Sequence, residues 1–368
     1  MKTTYLKNPT AQLGNVQLPL FEELEEIKLS SNSILRPLQI QNRRFLGNKF
    51  KLLDFIEDIV EENCGDYLSF CDIFAGTGVV GERFNKKDVK VVSNDILESN
   101  YIPLLAWLKI TNFNQERIEY LINALNNLEA DSDNYVSKKF GGIYFTLENA
   151  RKIGAIREKI DEMNITSLER NILVTSLIYA IDKVANTCGH YDAFRKKMDT
   201  RGEIKLSVPD IKSHNNYLNE VYKEDANKLI ERIEVDILYM DPPYNSRQYS
   251  DTYHLLENIA QWRKPEVYGI AKKMTRDHLK SEYCLKTAHK AFRELIQKAK
   301  CKHILLSYNN TGEKKDSRSN ARISDDQIIE ILREKGETEV FEREYKAFTT
   351  GLSETNGHTE RIFYCRVR

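Results

Sequence analysis

The chain has 368 residues, enough to bury a large core as one big domain with an insertion or as two domains. Hydrophobic residues make up 41% and charged residues 30%, the balance of a soluble globular protein, and no run of 18 apolar residues offers a membrane span. Net charge is zero, so the basic surplus of many nucleic-acid binders is missing, although a local basic face stays open.

The start of the chain, Met1 to Tyr5, lacks the apolar stretch of a signal peptide, so a cytoplasmic protein is expected. Cys64, Cys71, Cys188, Cys284, Cys301 and Cys365 are scattered without CxxC pairing. This spacing predicts free thiols in a reducing compartment and argues against a zinc site or a disulfide framework.

Residues 1–40 form an N-terminal extension in which Phe21 to Leu29 has helical spacing and Ser30 to Ser33 reads as a linker. From Asn42 the character changes. Arg43-Arg44-Phe45-Leu46-Gly47-Asn48-Lys49 precedes a helix reaching Glu62, with Leu52, Leu53, Phe55, Ile56, Ile59 and Val60 on one face. Lys49 falls in the first helical turn, where a cation opposes the helix dipole, so it makes sense if it reaches an anionic group.

Leu68 to Phe74 reads as a strand, followed by Gly76, Gly78 and Gly81 in a GxGxxG arrangement. Such glycines allow a tight turn, close backbone approach to a ligand and close packing of the next helix. No Lys-Ser/Thr follows, which excludes a phosphate-gripping P-loop. Val89 to Ser93 is the next strand, ending in Asn94-Asp95, where an acid can accept both hydroxyls of a ribose. This pattern alone does not choose between a dinucleotide and S-adenosyl-L-methionine. Lys49 and Asp72 could meet the zwitterionic methionine end, which favours the methyl donor over a pyrophosphate.

Helices are expected over Tyr101 to Thr111, residues 115–130, Glu148 to Met163 and Ser167 to Ala185, with a break at Asp131 to Asn134. The segment from Ala185 to Lys197 is polar, aromatic and basic without periodicity, and Arg201 and Lys205 prolong it. Phosphate contacts from Arg and Lys and base-edge contacts from Asn, His and Tyr suit it. Asn186, His190, Tyr191, Arg195, Lys196, Lys197 and Arg201, with Arg247 further on, are therefore the expected DNA-binding residues.

Asp236 to Met240 reads as a third parallel strand capped by Asp241-Pro242-Pro243-Tyr244, at the strand end where open α/β sheets bind ligands. The prolines stiffen the turn and remove donors, leaving acceptors. A carboxylate and a carbonyl together match the two hydrogens of an exocyclic amine, and Tyr244 offers a stacking face. Accepting both hydrogens makes a delocalised amine nitrogen more nucleophilic. Asn245 to His254 is expected to be mobile, and His254 to begin a helix. Thr287 to Lys300 and Asp325 to Lys335 read as helices, and His303 to Tyr308 as a strand. Asn309 to Ala321 reads as a flexible loop, and Glu339 to Phe348 and Arg361 to Val367 as an antiparallel pair.

Phe45-Leu46-Gly47-Asn48-Lys49, Asp72-Ile73-Phe74-Ala75-Gly76-Thr77-Gly78, Asn94-Asp95 and Asp241-Pro242-Pro243-Tyr244, taken in this order, resemble the D12, or Dam-like, class of adenine-N6 DNA methyltransferases. Cofactor motifs first, an insertion next and the catalytic motif last is the α arrangement of that class. Asn186 to Phe194 also resembles a family segment, and the likeness runs from Asn42 to Arg368. It implies an α/β, Rossmann-like methyltransferase fold with a mixed seven-stranded sheet and a mainly helical target-recognition insertion. The implied layout is a cofactor half over 41–112, the insertion over 113–224 and a substrate half over 225–368.

The resemblance further implies direct methyl transfer from S-adenosyl-L-methionine to adenine N6 in double-stranded DNA, with the base flipped into the site. By the motif match, Asp241, Pro242, Pro243 and Tyr244 are catalytic. Asn48, Lys49, Asp72, Phe74, Ala75, Gly76, Thr77, Gly78, Asp95, Ile96 and Asp241 hold the cofactor, and no metal is needed. A restriction endonuclease encoded nearby, a bacterial-type cytoplasm and a monomer by default complete the expectation. Residues 186–215 and the loop after Tyr244 are expected to carry sequence recognition. The competing readings are methylation of RNA adenine or of cytosine N4, an NAD-dependent oxidoreductase, and a non-catalytic DNA-binding protein.

Overall fold

The computed structural model describes residues 37–199, 202–243, 246–308, 323–344 and 359–368. Tyr244, Arg201, the N-terminal extension up to Arg36, and the expected loop at 309–321 therefore lie outside the described residues. The chain divides at Arg36/Pro37, and the second unit carries every element below.

After a 3₁₀ turn at Lys49–Leu52, the elements in chain order are α1 (Leu53–Asn63), β1 (Ser69–Asp72), α2 (Val79–Arg83), β2 (Lys90–Asn94), α3 (Glu98–Leu108), α4 (Gln115–Asn126), α5 (Tyr135–Phe140), α6 (Leu147–Glu162) and α7 (Ser167–Val184). Then follow β3 (Glu220–Tyr222), α8 (Ala226–Leu229), β4 (Ile237–Met240), α9 (Tyr249–Thr252), α10 (His254–Gln261), α11 (Ala288–Lys298), β5 (His303–Ser307), α12 (Asp325–Lys335), β6 (Gly336–Glu344) and β7 (Thr359–Val367). The strands form one mixed seven-stranded sheet in the order β3-β2-β1-β4-β5-β7-β6. The first five are mutually parallel, and β7 runs antiparallel to both its neighbours.

The central strands are apolar on both faces because both faces are covered. Alternate residues feed two separate cores: Phe70, Tyr239 and Leu305 pack into one, and Cys71, Leu238 and Ile304 into the other. Helix α7 has 12 of its 18 residues buried, so it is an interior helix rather than a surface one. It begins on a capping box in which Thr166 and Glu169 satisfy each other's backbone N–H groups, and it packs against α3, α4 and α6.

Three elements differ from expectation. The strand β3 is only three residues long, too short to show a period, yet it pairs with β2 at the edge of the sheet. A boundary at 224/225 therefore leaves a strand of the catalytic sheet inside the insertion. The break at Asp131 to Asn134 is followed at once by α5, for which Asn134 is the N-cap. The segment after Asn245, expected to be mobile, contains α9.

At the opposite end of the sheet from the glycine turn, Asp236 ties three chain segments together. Its Oδ2 accepts from the Leu68 and Ser69 N–H groups at 2.8 and 3.0 Å and from Ser69 Oγ at 2.9 Å, while Oδ1 lies 2.7 Å from Lys302 Nζ. Lys302 and these donors outweigh partial burial and hold the carboxyl down at about 2. The folded value lies below the unfolded one, so this contribution is complete above the unfolded pKa and is lost as pH falls toward 2. Asp236→Asn is expected to cost about 2 kcal/mol at pH 7 and to flatten the acid limb of a urea-unfolding stability profile. An unchanged acid limb would refute the assignment.

Candidate active site

The tips of β1, β2, β3 and β4 lie side by side, and Asn94 locks three of them together. Its amide donates to the carbonyls of Ile73 and Glu224, both at 3.1 Å, and its Oδ1 accepts from Glu224 N–H at 3.0 Å. Above these tips opens a cleft of ≈ 980 Å³, counting the space open to solvent.

Phe45, Asn48, Lys49, Asp72, Phe74, Ala75, Gly76, Thr77, Asp95, Ile96, Asp241 and Pro243 all line the cleft. Four motifs far apart in sequence thus meet in one place. Gly76 adopts φ +54°, and Phe45 packs so closely over it that a Cβ would meet Cε1 of the ring at 3.0 Å. Phe45 in turn stacks on Tyr253, with centroids 4.6 Å apart.

Gly78 is a correction. It is absent from the cleft wall; it starts α2 at φ +83°, and a Cβ there would strike Leu104 Cδ2 at 2.7 Å. It allows helix packing, not ligand approach. Asn48 reaches the cleft wall, but its side chain also caps the following turn by accepting from Phe50 N–H at 2.9 Å.

The electrostatics centre on three carboxylates and one ammonium. Lys49 Nζ donates to Asp241 Oδ2 at 2.7 Å, across 192 positions of the chain. The anionic group that Lys49 was expected to reach is, in this structure, the acid of the Asp-Pro-Pro motif. Asp241 Oδ1 is buried and has no hydrogen-bond partner among the described residues. Burial pushes the Asp241 carboxyl up, and Lys49 opposes this by attraction and by its hydrogen bond.

Asp72 is held well above the usual carboxylate range, first by burial and then by Asp241 and Asp95 nearby. Its Oδ1 also lacks a partner among the described residues. Asp95 accepts Gly76 N–H at 3.1 Å and Leu97 N–H at 2.9 Å, and burial outweighs these bonds to lift its pKa to about 6.

Sequence reasoning missed part of the wall. Glu224, Asp225 and Ala226 follow β3, a strand too short to announce itself, and Leu279, Lys280, Ser281 and Tyr283 come from a loop with no periodicity. Gln248 clamps that loop: its amide donates to Ser281 O at 3.1 Å and its Oε1 accepts Ser281 N–H at 2.7 Å. Tyr283 meets Phe74 edge-on at 5.0 Å.

The chain matches the model of the D12 class N6 adenine-specific DNA methyltransferase family over residues 45–316, which takes in all four motifs. The chain belongs to this family.

A type II methyltransferase of Planomicrobium okeanokoites, M.FokI, is 38% identical over 351 residues, covering 87% of this chain and 52% of its own length. The modification methylase StsI of Streptococcus sanguinis is 36% identical, covering 79% of this chain and 46% of its own. The type II methyltransferase M.NlaIII of Neisseria lactamica is 33% identical, covering 85% of this chain and 95% of its own. The chain thus spans about half the length of the first two relatives and nearly all of the third.

The expected DNA-binding residues of this D12-family chain separate into two groups. Asn186 and Tyr191 are buried, and this corrects their assignment as base readers. Asn186 donates to the carbonyls of Ile143 and Arg195 and accepts Asp199 N–H, which folds the loop on itself. Tyr191 donates its hydroxyl to Asp182 at 2.8 Å, and its carbonyl meets His254 Nε2 at 3.0 Å. The second group faces outward. Arg195, Lys196, Lys197 and Arg247 are exposed, with Arg195 2.9 Å from Asp199 and Arg247 3.7 Å from Asp192. His190 is partly exposed.

Proposed function

We propose that the protein transfers a methyl group from S-adenosyl-L-methionine to N6 of adenine in duplex DNA, as the modifying member of a restriction–modification pair. The charge of the cleft carries the cofactor half of this reading. Five acids (Asp72, Asp95, Glu224, Asp225 and Asp241) line it, against Lys49 and Lys280. A dinucleotide would bring two phosphate charges beside these acids, which repel them wherever they are ionised. S-adenosyl-L-methionine carries a net positive charge and supplies an electrophilic methyl on its sulfonium.

Asp72 Oδ1 offers an acceptor to the ammonium group, and a cation there would draw its raised pKa back down. Asp95 accepts the ribose hydroxyls with the lone pairs that Gly76 and Leu97 leave free. Asp241 divides its work between two oxygens. Lys49 holds Oδ2 and favours the ionised form, while Oδ1 accepts one hydrogen of N6 and a carbonyl of the Asp241-Pro242-Pro243 turn accepts the other. Both bonds hold the nitrogen lone pair out of the ring and aimed at the methyl. After transfer, the surplus N6 proton leaves along its bond to Asp241. Tyr244 stacks on the flipped base, and the exposed Arg195, Lys196, Lys197 and Arg247 contact phosphates.

The deciding experiment is incubation with tritiated S-adenosyl-L-methionine and genomic duplex DNA, followed by nucleoside analysis. Label in N6-methyladenine is expected. Label in N4-methylcytosine would overturn the base assignment, and cofactor binding without label in DNA would overturn the substrate class.

The Asp95 carboxyl near 6 adds a pH signature. Protonation removes acceptor capacity, so the cofactor Kd is expected to rise as pH falls below 6, by up to about tenfold per unit. Asp95→Asn is expected to bind more weakly and to lose this slope. Calorimetric titrations between pH 5 and 8 would test this, and a flat wild-type profile would rule out Asp95 as the ribose acceptor.

A further inference from the structure

The most exposed large apolar side chain among the described residues is Ile270, at 85%, with Tyr268 at 64% two positions before it. Both belong to a small hairpin. Tyr268 and Lys273 exchange backbone hydrogen bonds at 2.8 and 2.9 Å, and Lys272 N–H closes the turn on Gly269 O at 3.2 Å. Gly269 and Lys272 take left-handed φ values of +69° and +51°. For lysine that conformation is unusual, so surrounding contacts must hold the turn in shape.

Those contacts are visible. Tyr144, from the helical region, donates its hydroxyl to Ala271 O at 2.9 Å, tying down the inner side of the tip. Lys273 lies 2.6 Å from Asp192 in the basic loop and 3.3 Å from Asp251 in α9. Arg276, just past the hairpin, also pairs with Asp251 and donates to Met274 O at 2.8 Å. A well-anchored tip that leaves an isoleucine in water is a feature the fold itself does not use.

The hairpin is also joined to the cleft wall by Lys273, 3.3 Å from Asp251, and by the chain that follows it. Asp251 directly follows Tyr249 and Ser250, which line the cleft, and the chain leaving the hairpin reaches the lining residues Leu279, Lys280 and Ser281. Lys272, Lys273, Arg276 and Arg247 lie on or near it and outnumber Asp192 and Asp251, the carboxylates that pair with the last three, and the exposed Arg195, Lys196 and Lys197 lie on the loop that Lys273 grips. Charge of this sign fits a phosphate backbone, and an apolar tip inside it fits the interior of a base stack.

Resting on the proposed function, we propose that the Tyr268–Lys273 hairpin is a DNA wedge: Ile270, backed by Tyr268, enters the stack where the target adenine leaves it, and Lys272 holds the adjacent phosphate. Extracting a base opens a gap and costs stacking and pairing energy. An aliphatic side chain filling the gap stabilises the flipped state, and a hairpin pinned to both the basic loop and α9 delivers it at a fixed distance from Asp241.

The test uses the full chain and two duplexes bearing the recognition sequence mapped from wild-type methylation. In one the target adenine faces thymine, and in the other it faces an abasic site and is already loosened. Ile270→Ala is expected to lower kcat/KM on the paired duplex by about 10- to 100-fold, the loss of about 1.4–2.7 kcal/mol of support for unstacking. On the abasic duplex it is expected to recover to within about threefold of wild type, with cofactor Kd unchanged. Tyr268→Ala should follow the same pattern more weakly.

Full activity of Ile270→Ala on the paired duplex would overturn the proposal and assign the tip to a protein partner or to a second copy of the chain. An equal loss on both duplexes would overturn it in favour of simple backbone docking. Absence of any wild-type methylation of duplex DNA at the mapping step would remove the DNA reading itself, and the wedge with it.

Discussion

Asp241→Ala is expected to abolish methyl transfer, by about 10³-fold or more, while cofactor Kd stays within a few-fold of wild type. The expectation rests on how the two oxygens of Asp241 are used. Oδ2 is committed to Lys49 at 2.7 Å, and Oδ1 is the buried acceptor with no partner among the described residues. An acceptor kept dry and unpaired is costly in the resting protein. It becomes useful when a donor arrives, because a pre-aimed charge in a water-poor cleft interacts more strongly than one in solvent. Removing the carboxylate leaves Lys49 without its anion and the amine without its strongest acceptor. The adenosine side of the cleft, built on Asn94, Asp95 and Gly76, does not depend on Asp241. Single-turnover kinetics with saturating cofactor, beside calorimetric cofactor titration, separate the two effects. Retained turnover in Asp241→Ala would remove Asp241 from the chemistry. Lost cofactor binding with it would make the residue part of the cofactor site instead.

Much of the cleft wall was legible in the sequence because its motifs combine a strand of clear length with residues that have a special backbone or charge requirement. Gly76, with its left-handed φ, and Asp95, at a strand tip, are cases where local chemistry points to a place in the cleft wall. The oddly placed Lys49 was legible as a cation in need of an anion, but its partner lies far along the chain, and only folding brings Asp241 to it. The misses have a common physical origin. Glu224 and Asp225 follow a three-residue strand that carries no periodicity, and Ser281 and Tyr283 are placed by side-chain clamps from Gln248 and Asn227 rather than by local pattern. Asn186 and Tyr191 look like base readers by composition, yet Asn186 spends its amide on backbone carbonyls that a polar loop of this length must satisfy, and Tyr191 spends its hydroxyl on the buried Asp182 carboxylate. Gly78 has the spacing of a ligand-facing glycine and the environment of a packing one, a distinction set by Leu104, 26 positions away on α3.

Arg43 illustrates the same limit and carries the second large effect. Its side chain is fully buried: Nη1 donates to Ser99 O at 3.0 Å and to Asn100 Oδ1 at 2.9 Å, while Nε lies 3.5 Å from Asp182 Oδ2. The guanidinium also sits over the rings of Phe45 and Tyr179, at 5.5 and 6.0 Å. Asp182 belongs to α7 and accepts the Tyr191 hydroxyl at 2.8 Å, so one buried ion pair joins the segment before the Lys49–Leu52 turn to α7 and the basic loop. Burial pushes the Asp182 carboxyl up, and Arg43 is the leading influence that holds it down. Arg43→Met strands that carboxylate and is expected to destabilise the protein by about 3–5 kcal/mol. Arg43→Met with Asp182→Leu removes both charges and is expected to recover much of the loss, because an apolar pair of similar volume avoids the desolvation that the ion pair must offset. Urea unfolding of the two single variants and the double variant gives the coupling. Additive losses would show that the pair contributes nothing as a pair. The recovered double variant also isolates the loop: with Tyr191 deprived of its acceptor, the KM for DNA is expected to rise while the cofactor Kd holds. A double variant that is stable and unchanged toward DNA would mean that the Asp182–Tyr191 bond shapes the core without positioning the loop.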